Sequence, residues 1–210
     1  MHVQPRRADA QRNSARVVRA AILAFEEVGA AVSLDEVAQR AGVGIATLYR
    51  LFGGRDGLIR EAFTTFFVEE VEPLALAARA AEDPGDALAT ALVRTLDAFA
   101  THRVLLGIAR ETGAVTVTVA ERYLHQLGDV LVAAQRAGRV RPDITVRDLA
   151  AVVVMALATA RADDPANADP RRYLALLMAG MRPSDDPLPP PASTGFGARA
   201  TRDSRDCTSA

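Results

Sequence analysis

Lysine is absent from these 210 residues, so all 25 basic side chains are arginine, and tryptophan is absent too. Arginine's planar fork suits phosphate, but genomic base composition explains a lysine-free chain at least as well. The single cysteine, Cys207, excludes an intramolecular disulfide and fits a reducing cytoplasm. The three histidines, His2, His102 and His125, are too scattered for a metal-ligand motif, and neither HExxH nor CxxC occurs. GxSxG, Walker A and GxGxxG are missing as well, so nothing marks a nucleophile elbow or a phosphate loop. These absences assign no catalytic residue, no metal and no cofactor, and weigh against an enzyme. The longest apolar run, Leu149 to Ala160 with Thr159 interrupting, is too short to span a bilayer. The N-terminus lacks the charged, apolar and small-residue succession of a signal peptide. A soluble, cytoplasmic protein with no membrane partner is expected.

What is present points to helices. Half the residues are hydrophobic and only 5% aromatic, with alanine, leucine and valine prominent, so an all-α fold with one small and one larger domain is predicted. The net charge of −1 conceals an uneven distribution. From Met1 to Phe25, Arg6, Arg7, Arg12, Arg16 and Arg19 face a single acid, Asp9, which concentrates positive charge where a DNA-binding arm would need it. Residues 1–11 are expected to be a flexible basic arm; a solvated tail without a partner explains the first ten residues as well.

The richest stretch is Ser33 to Phe52, SLDEVAQRAGVGIATLYRLF. Ser33 with Glu36 three positions on has the spacing of a reciprocal capping box. Leu34, Val37, Ala38 and Ala41 then form one apolar helical face, and Gly42 with Gly44 ends it. A second short helix, Ile45 to Leu51, follows at once. This is the sequence of a helix-turn-helix, residues 33–52. With Leu48 and Phe52 on the inner face, Ile45, Ala46, Thr47, Tyr49 and Arg50 are left to point elsewhere. Methyl groups at a helix start suit thymine, hydroxyls reach phosphate, and arginine pairs with phosphate or guanine. A plain helical hairpin in a core is the competing explanation, and the caps, glycine turn and short second helix together weigh against it.

Around this unit, a first helix is predicted from Asn13 to Val28, stopped by Gly29. A long one is predicted from Arg55 to Ala81, bent at Pro73. Asp83-Pro84-Gly85-Asp86 opens a helix over residues 87–101 with Leu88, Leu92, Leu96 and Phe99 in phase. Val104 to Arg110 continues helical. Residues 113–119 alternate like a strand, but a lone strand has no partner, so loop and helix start is predicted. Helices follow over residues 121–137, 146–160 after Thr145, and 170–181. The last two carry more apolar surface than a small domain hides, which marks residues 146–161 and 170–181 as a candidate dimer surface; service to the monomer's own core is the alternative. From residue 183 to 210 the chain is rich in proline, serine, glycine and charge and is expected to be disordered. Phe99, His102, Leu106, Tyr123, His125 and Met155 are candidates to line a ligand cavity, against the plainer reading that they are exposed or core residues.

Arg12 to about Phe67 resembles the DNA-binding domain of TetR-type transcriptional regulators. The resemblance rests on Arg16-Val17-Val18-Arg19-Ala20-Ala21 with Phe25, Gly29, Ser33-Leu34-Asp35-Glu36-Val37-Ala38, Ala41-Gly42-Val43, Thr47-Leu48-Tyr49-Arg50, Phe52 and Arg55-Asp56-Gly57-Leu58. It implies a DNA-binding domain over 12–70 and a regulatory and dimerisation domain over 71–182. It implies a homodimeric repressor that leaves a palindromic DNA operator when a small molecule binds the C-terminal domain. By position it assigns DNA contacts to Ser33, Gly44, Ile45, Ala46, Thr47, Tyr49, Arg50 and Arg55. Gly44 stands where serine or threonine commonly caps the recognition helix, Ala46 replaces a frequent glycine and Leu51 a frequent histidine, which leaves fewer polar contacts. Arg172 to Pro183, RYLALLMAGMRP, with RADAQRN near the start and VGIATLYRLF, is similar to the actinobacterial subgroup called SbtR-like. The alternative from another class is a helical enzyme or small-molecule-binding module on the same fold without operator binding.

Overall fold

A computed structural model describes residues 5–159 and 169–190, and every regular element among them is helical. Helix α1, Pro5–Val28, starts eight residues before the expected Asn13. Proline is favoured in a first helical turn, where a missing amide costs nothing, and residues 5–11 are therefore helix where a flexible arm was expected. Its buried face is Val17, Val18, Ala21, Ala24 and Phe25, a helical repeat, and a single 3₁₀ turn at Gly29–Ala31 follows.

Helix α2, Leu34–Ala41, begins where Ser33 accepts the Glu36 amide at 3.1 Å. Only this half of the expected capping box forms, because the Glu36 carboxylate pairs instead with Arg40 at 2.7 Å, one helical turn on. Gly42, at φ 64°, closes α2 in the left-handed region that penalises any side chain. Helix α3, Ile45–Phe52, and helix α4, Arg55–Phe66, follow. Their corner is tight: a Cβ built on Gly57 would lie 1.8 Å from the Phe52 carbonyl oxygen, so no other residue fits there without backbone movement.

The long helix expected from Arg55 to Ala81 is interrupted before Pro73 rather than bent at it. A π turn, Phe67–Val71, separates α4 from α5, Glu72–Arg79, and places Pro73 in the first turn of α5. Proline supplies no amide and its ring collides with the carbonyl four residues back; the wider turn carries the chain past that conflict. Asp83 then caps α6, Pro84–Thr101, by accepting the amides of Gly85 at 2.8 Å and Asp86 at 3.0 Å. Helix α7, Arg103–Glu111, follows directly. Thr116 caps α8, Val117–Arg136, so the alternating stretch resolves into loop and helix start.

Helix α9, Val146–Ala158, is held at its start by Asp148, which accepts from both the amide and the hydroxyl of Thr145 at 2.7 and 2.8 Å. Helix α10, Pro170–Ala179, ends the described helices. α1 packs on α2, α4 and α7, while α5, α6, α8, α9 and α10 assemble the larger layer, and one buried apolar core runs through both. The expected disorder from residue 183 does not begin there. The Asp186 carbonyl accepts from the Arg141 guanidinium, and the Leu188 amide donates to Asp143 at 2.9 Å. Residues 191–210, including Cys207, lie outside the described residues.

Candidate nucleic-acid interface and effector cavity

Leu48 is wholly buried and anchors α3, which turns Gly44, Ala46, Tyr49 and Arg50 to solvent. Arg50 has no hydrogen bond or ion pair among the described residues, so its guanidinium is free for an external anion. Thr47 is half-buried. Ile45, assigned outward from the helical wheel, is also half-buried and packs on the core, because the first residue of α3 still lies over the turn from α2. Ser33 is exposed, with its oxygen already occupied as the α2 cap. On α1, Arg12, Arg16 and Arg19 are exposed at helical spacing on one face.

Arg55 has a different environment from the rest of this set. Its guanidinium donates to the carbonyls of Val32, at 2.6 Å, and Ala30, and lies 5.5 Å over the ring of Phe25. Those carbonyls belong to the turn between α1 and α2, so Arg55 ties α4 to the frame that orients the reading pair. A phosphate would have to compete with both bonds.

In the larger layer, an apolar cavity of about 260 Å³ opens between α4, α6, α7, α8 and α9. Of the candidates read from sequence, Phe99, Leu106 and Tyr123 line it. His102, His125 and Met155 do not. His125 and Met155 are exposed, two positions beyond Tyr123 and Val153; two residues turn a helix more than half-way round, onto the outer face. His102 ends α6 and leaves toward the small domain. Its ring lies 4.5 Å from that of Phe66, with Nε2 3.1 Å from Glu70 and Nδ1 3.8 Å from Glu26. Glu26, in the last turn of α1, also accepts the Leu105 amide at 3.0 Å, which caps α7. Glu26, Glu70 and His102 thereby join α1, the π turn and the α6–α7 corner.

Sequence reasoning missed Phe63, Phe67, Thr95 and Arg110 in the lining. Thr95 carried a signal: it falls on the Leu88, Leu92, Phe99 stripe, where a hydroxyl needs a partner. It finds one in Tyr123, at 2.6 Å between oxygens, both groups buried. Burial holds the Tyr123 phenol neutral, pushing its pKa up to about 12. Phe67 meets Phe99 at 6.3 Å and Tyr123 at 5.9 Å, while Phe66 meets Phe99 at 5.8 Å. One aromatic cluster therefore runs from the cavity wall to His102.

Across the outer side of α9 and α10, Met155, Tyr173 and Leu176 are 39–58% exposed, while the part-exposed Val154 lines the cavity mouth. Inner residues Leu149, Val152, Val153 and Ala156 are buried, and α9 leaves an apolar face open in the single chain. Residues 160–161 of the expected surface lie outside the described residues. Among the described residues, no helix is long and apolar enough to cross a membrane, and no acidic, histidine or cysteine cluster is placed to hold a metal.

Residues 17–62 match the family model for bacterial regulatory proteins of the tetR family, and residues 60–183 match that for the C-terminal domain of SbtR-like transcriptional regulators. Among solved structures, a TetR transcription regulatory protein from Mycobacterium vanbaalenii is 32% identical over 85% of this chain and 99% of its own, with a TM-score of 0.60. A TetR transcriptional regulator from Streptomyces coelicolor is 27% identical over 81% of this chain and 99% of its own, TM-score 0.60. FadR from Bacillus subtilis, in complex with stearoyl-CoA, shares the fold at 18% identity over 80% of this chain and 98% of its own, TM-score 0.62. Comparison with curated proteins gives no match. With both halves of the sequence matched in order and the outward face of α3 free, the chain belongs to the TetR family of bacterial transcriptional regulators, with a C-terminal domain of the SbtR-like type.

Proposed function

We propose that the protein is a cytoplasmic homodimeric repressor that holds a palindromic operator and releases it when a small molecule enters the α4–α9 cavity. The observation that carries the ligand response is the shared wall. Phe63 near the end of α4 and Phe67 at the start of the π turn line the cavity, and the start of α4 is the corner that packs against α3. A ligand that displaces Phe67 pushes on the π turn, and Glu70 passes that movement through His102 to Glu26 on α1.

Operator contact falls to the α3 surface. Ala46 and the half-buried Ile45 offer methyl groups, Gly44 exposes the helix N-terminus to phosphate, Thr47 and Tyr49 offer hydroxyls, and Arg50 supplies the free cation. Ser33 contributes at the start of α2, while Arg55 acts by fixing the α1–α2 turn. The exposed arginines of α1 add positive potential along the duplex. The open apolar face of α9 and α10 forms a four-helix contact with a second copy, which sets the two reading heads for a two-fold operator.

Fluorescence anisotropy against the DNA upstream of the protein's own gene tests this function. Binding should require the palindrome and weaken steeply with salt; no binding at any salt concentration would reject it.

A further inference from the structure

Resting on the assignment of the α4–α9 cavity as the effector site, the geometry points to a narrow ligand chemistry. We propose that the effector is a neutral, compact apolar molecule carrying one hydroxyl or carbonyl oxygen, bound through the Thr95–Tyr123 hydroxyl pair.

Size comes first. An apolar cavity of about 150 Å³ holds benzene, so one of about 260 Å³ takes about ten non-hydrogen atoms. The shape of the wall suits rings, with Phe63, Phe67 and Phe99 presented together.

Hydrogen-bond valence then selects the polar group. Thr95 and Tyr123 each carry one O–H donor and accepting lone pairs, and they share a single contact at 2.6 Å. Neither oxygen has another partner among the described residues, so one donor and several lone pairs are unspent in a nearly dry wall. A ligand oxygen satisfies that donor, and a ligand hydroxyl can also donate back. An anion is disfavoured at the same spot: the pair is neutral, and a carboxylate stripped of water without a cation is heavily penalised. Arg110 is the one charged lining residue among those described, and it lies exposed at the rim. Its guanidinium stays in water, where it adds little.

Four probes on the full-length protein test this by calorimetry at neutral pH: 1-naphthol, 1-tetralone, naphthalene and 1-naphthoate. The two neutral oxygen-bearing probes should bind about ten-fold tighter than naphthalene, the yield of one well-made buried hydrogen bond, and 1-naphthoate should bind weakest. Thr95→Val and Tyr123→Phe should lower 1-naphthol affinity about ten-fold and leave naphthalene unchanged, which also reports that the cavity survives. Where a variant fails to fold, the ranking on the unaltered protein still decides. Tightest binding by 1-naphthoate, lost in Arg110→Gln, would overturn the proposal in favour of an anionic effector. Equal binding of 1-naphthol and naphthalene, or no binding by any neutral probe, would overturn it as well. Operator binding by the same preparation separates the two levels: a protein that holds DNA but ignores neutral probes refutes only the ligand class. One that takes 1-naphthol and ignores DNA refutes the repressor function and leaves the pocket chemistry standing.

Discussion

The reading head and the effector domain are built by different means. In the head, backbone devices do most of the positioning: the Ser33 cap, the left-handed Gly42, the Gly57 corner and the Arg55 bonds to two turn carbonyls. In the effector domain, five helices meet through side chains distant in sequence, such as Thr95 with Tyr123 and Glu72 with Arg122 at 2.9 Å. Each device in the head can be performed by only a few residue types, so the head tolerates little change. The cavity wall is apolar bulk that many side chains could supply, which lets ligand choice change while the fold persists.

The sharpest way to break this comparison is Gly57→Ala. A Cβ 1.8 Å from a backbone oxygen cannot be relieved by a rotamer change, so a loss of about 3 kcal/mol or more in urea unfolding is expected, with operator binding abolished. Leu92→Ala in the cavity wall should cost a similar 2 to 5 kcal/mol, ~3 as a central value, yet keep DNA affinity in the protein that remains folded. If both variants lose operator binding alike once corrected for the folded fraction, the two regions are not separable as described.

Next in size is the apolar face of α9 and α10 proposed to join two copies. Leu176→Glu with Met155→Glu places charge in the exposed patch, and light scattering should find a monomer with its helical circular dichroism intact. Tyr49→Ala and Arg50→Ala should each weaken operator binding by about 1 to 3 kcal/mol and leave thermal stability and probe binding unchanged. A change in 1-naphthol affinity in either variant without DNA present would contradict their placement on the surface.

The smallest effect is a pH response at the far end of the molecule. The Arg141 guanidinium, aided by the Leu188 amide, lowers the Asp143 pKa to about 2. Because the folded value lies below the unfolded one, this contribution is full above about pH 4 and is lost as pH falls through the folded value. Asp143→Asn should therefore flatten the acid limb of stability between about pH 4 and 2, measured by denaturant titration, and leave the neutral-pH operator affinity alone.

How much was legible in sequence follows the same division. Ser33, Gly42 and the Leu48 anchor were readable because each acts within a few residues of itself. The Glu36 half of the capping box failed because Arg40, one turn on, offered its carboxylate a charged partner. Of the six cavity candidates, Phe99, Leu106 and Tyr123 point inward while His102, His125 and Met155 do not. Periodicity finds a buried face, but which buried residues surround a void depends on how neighbouring helices cross. His102 shows the limit most clearly: its partners Glu26 and Glu70 lie 76 and 32 positions away, and no local pattern joins them.

The all-helical class and the helix-turn-helix were determined by sequence alone, because caps, turns and hydrophobic period are local properties of the chain, and the likeness of its motif residues pointed to the family. Only tertiary structure decided that Arg55 braces a turn, that the long fourth helix breaks through a π turn before Pro73, and that Thr95 and Tyr123 meet in a cavity. Those outcomes depend on distances between helices, and such distances are set by close packing of the whole core.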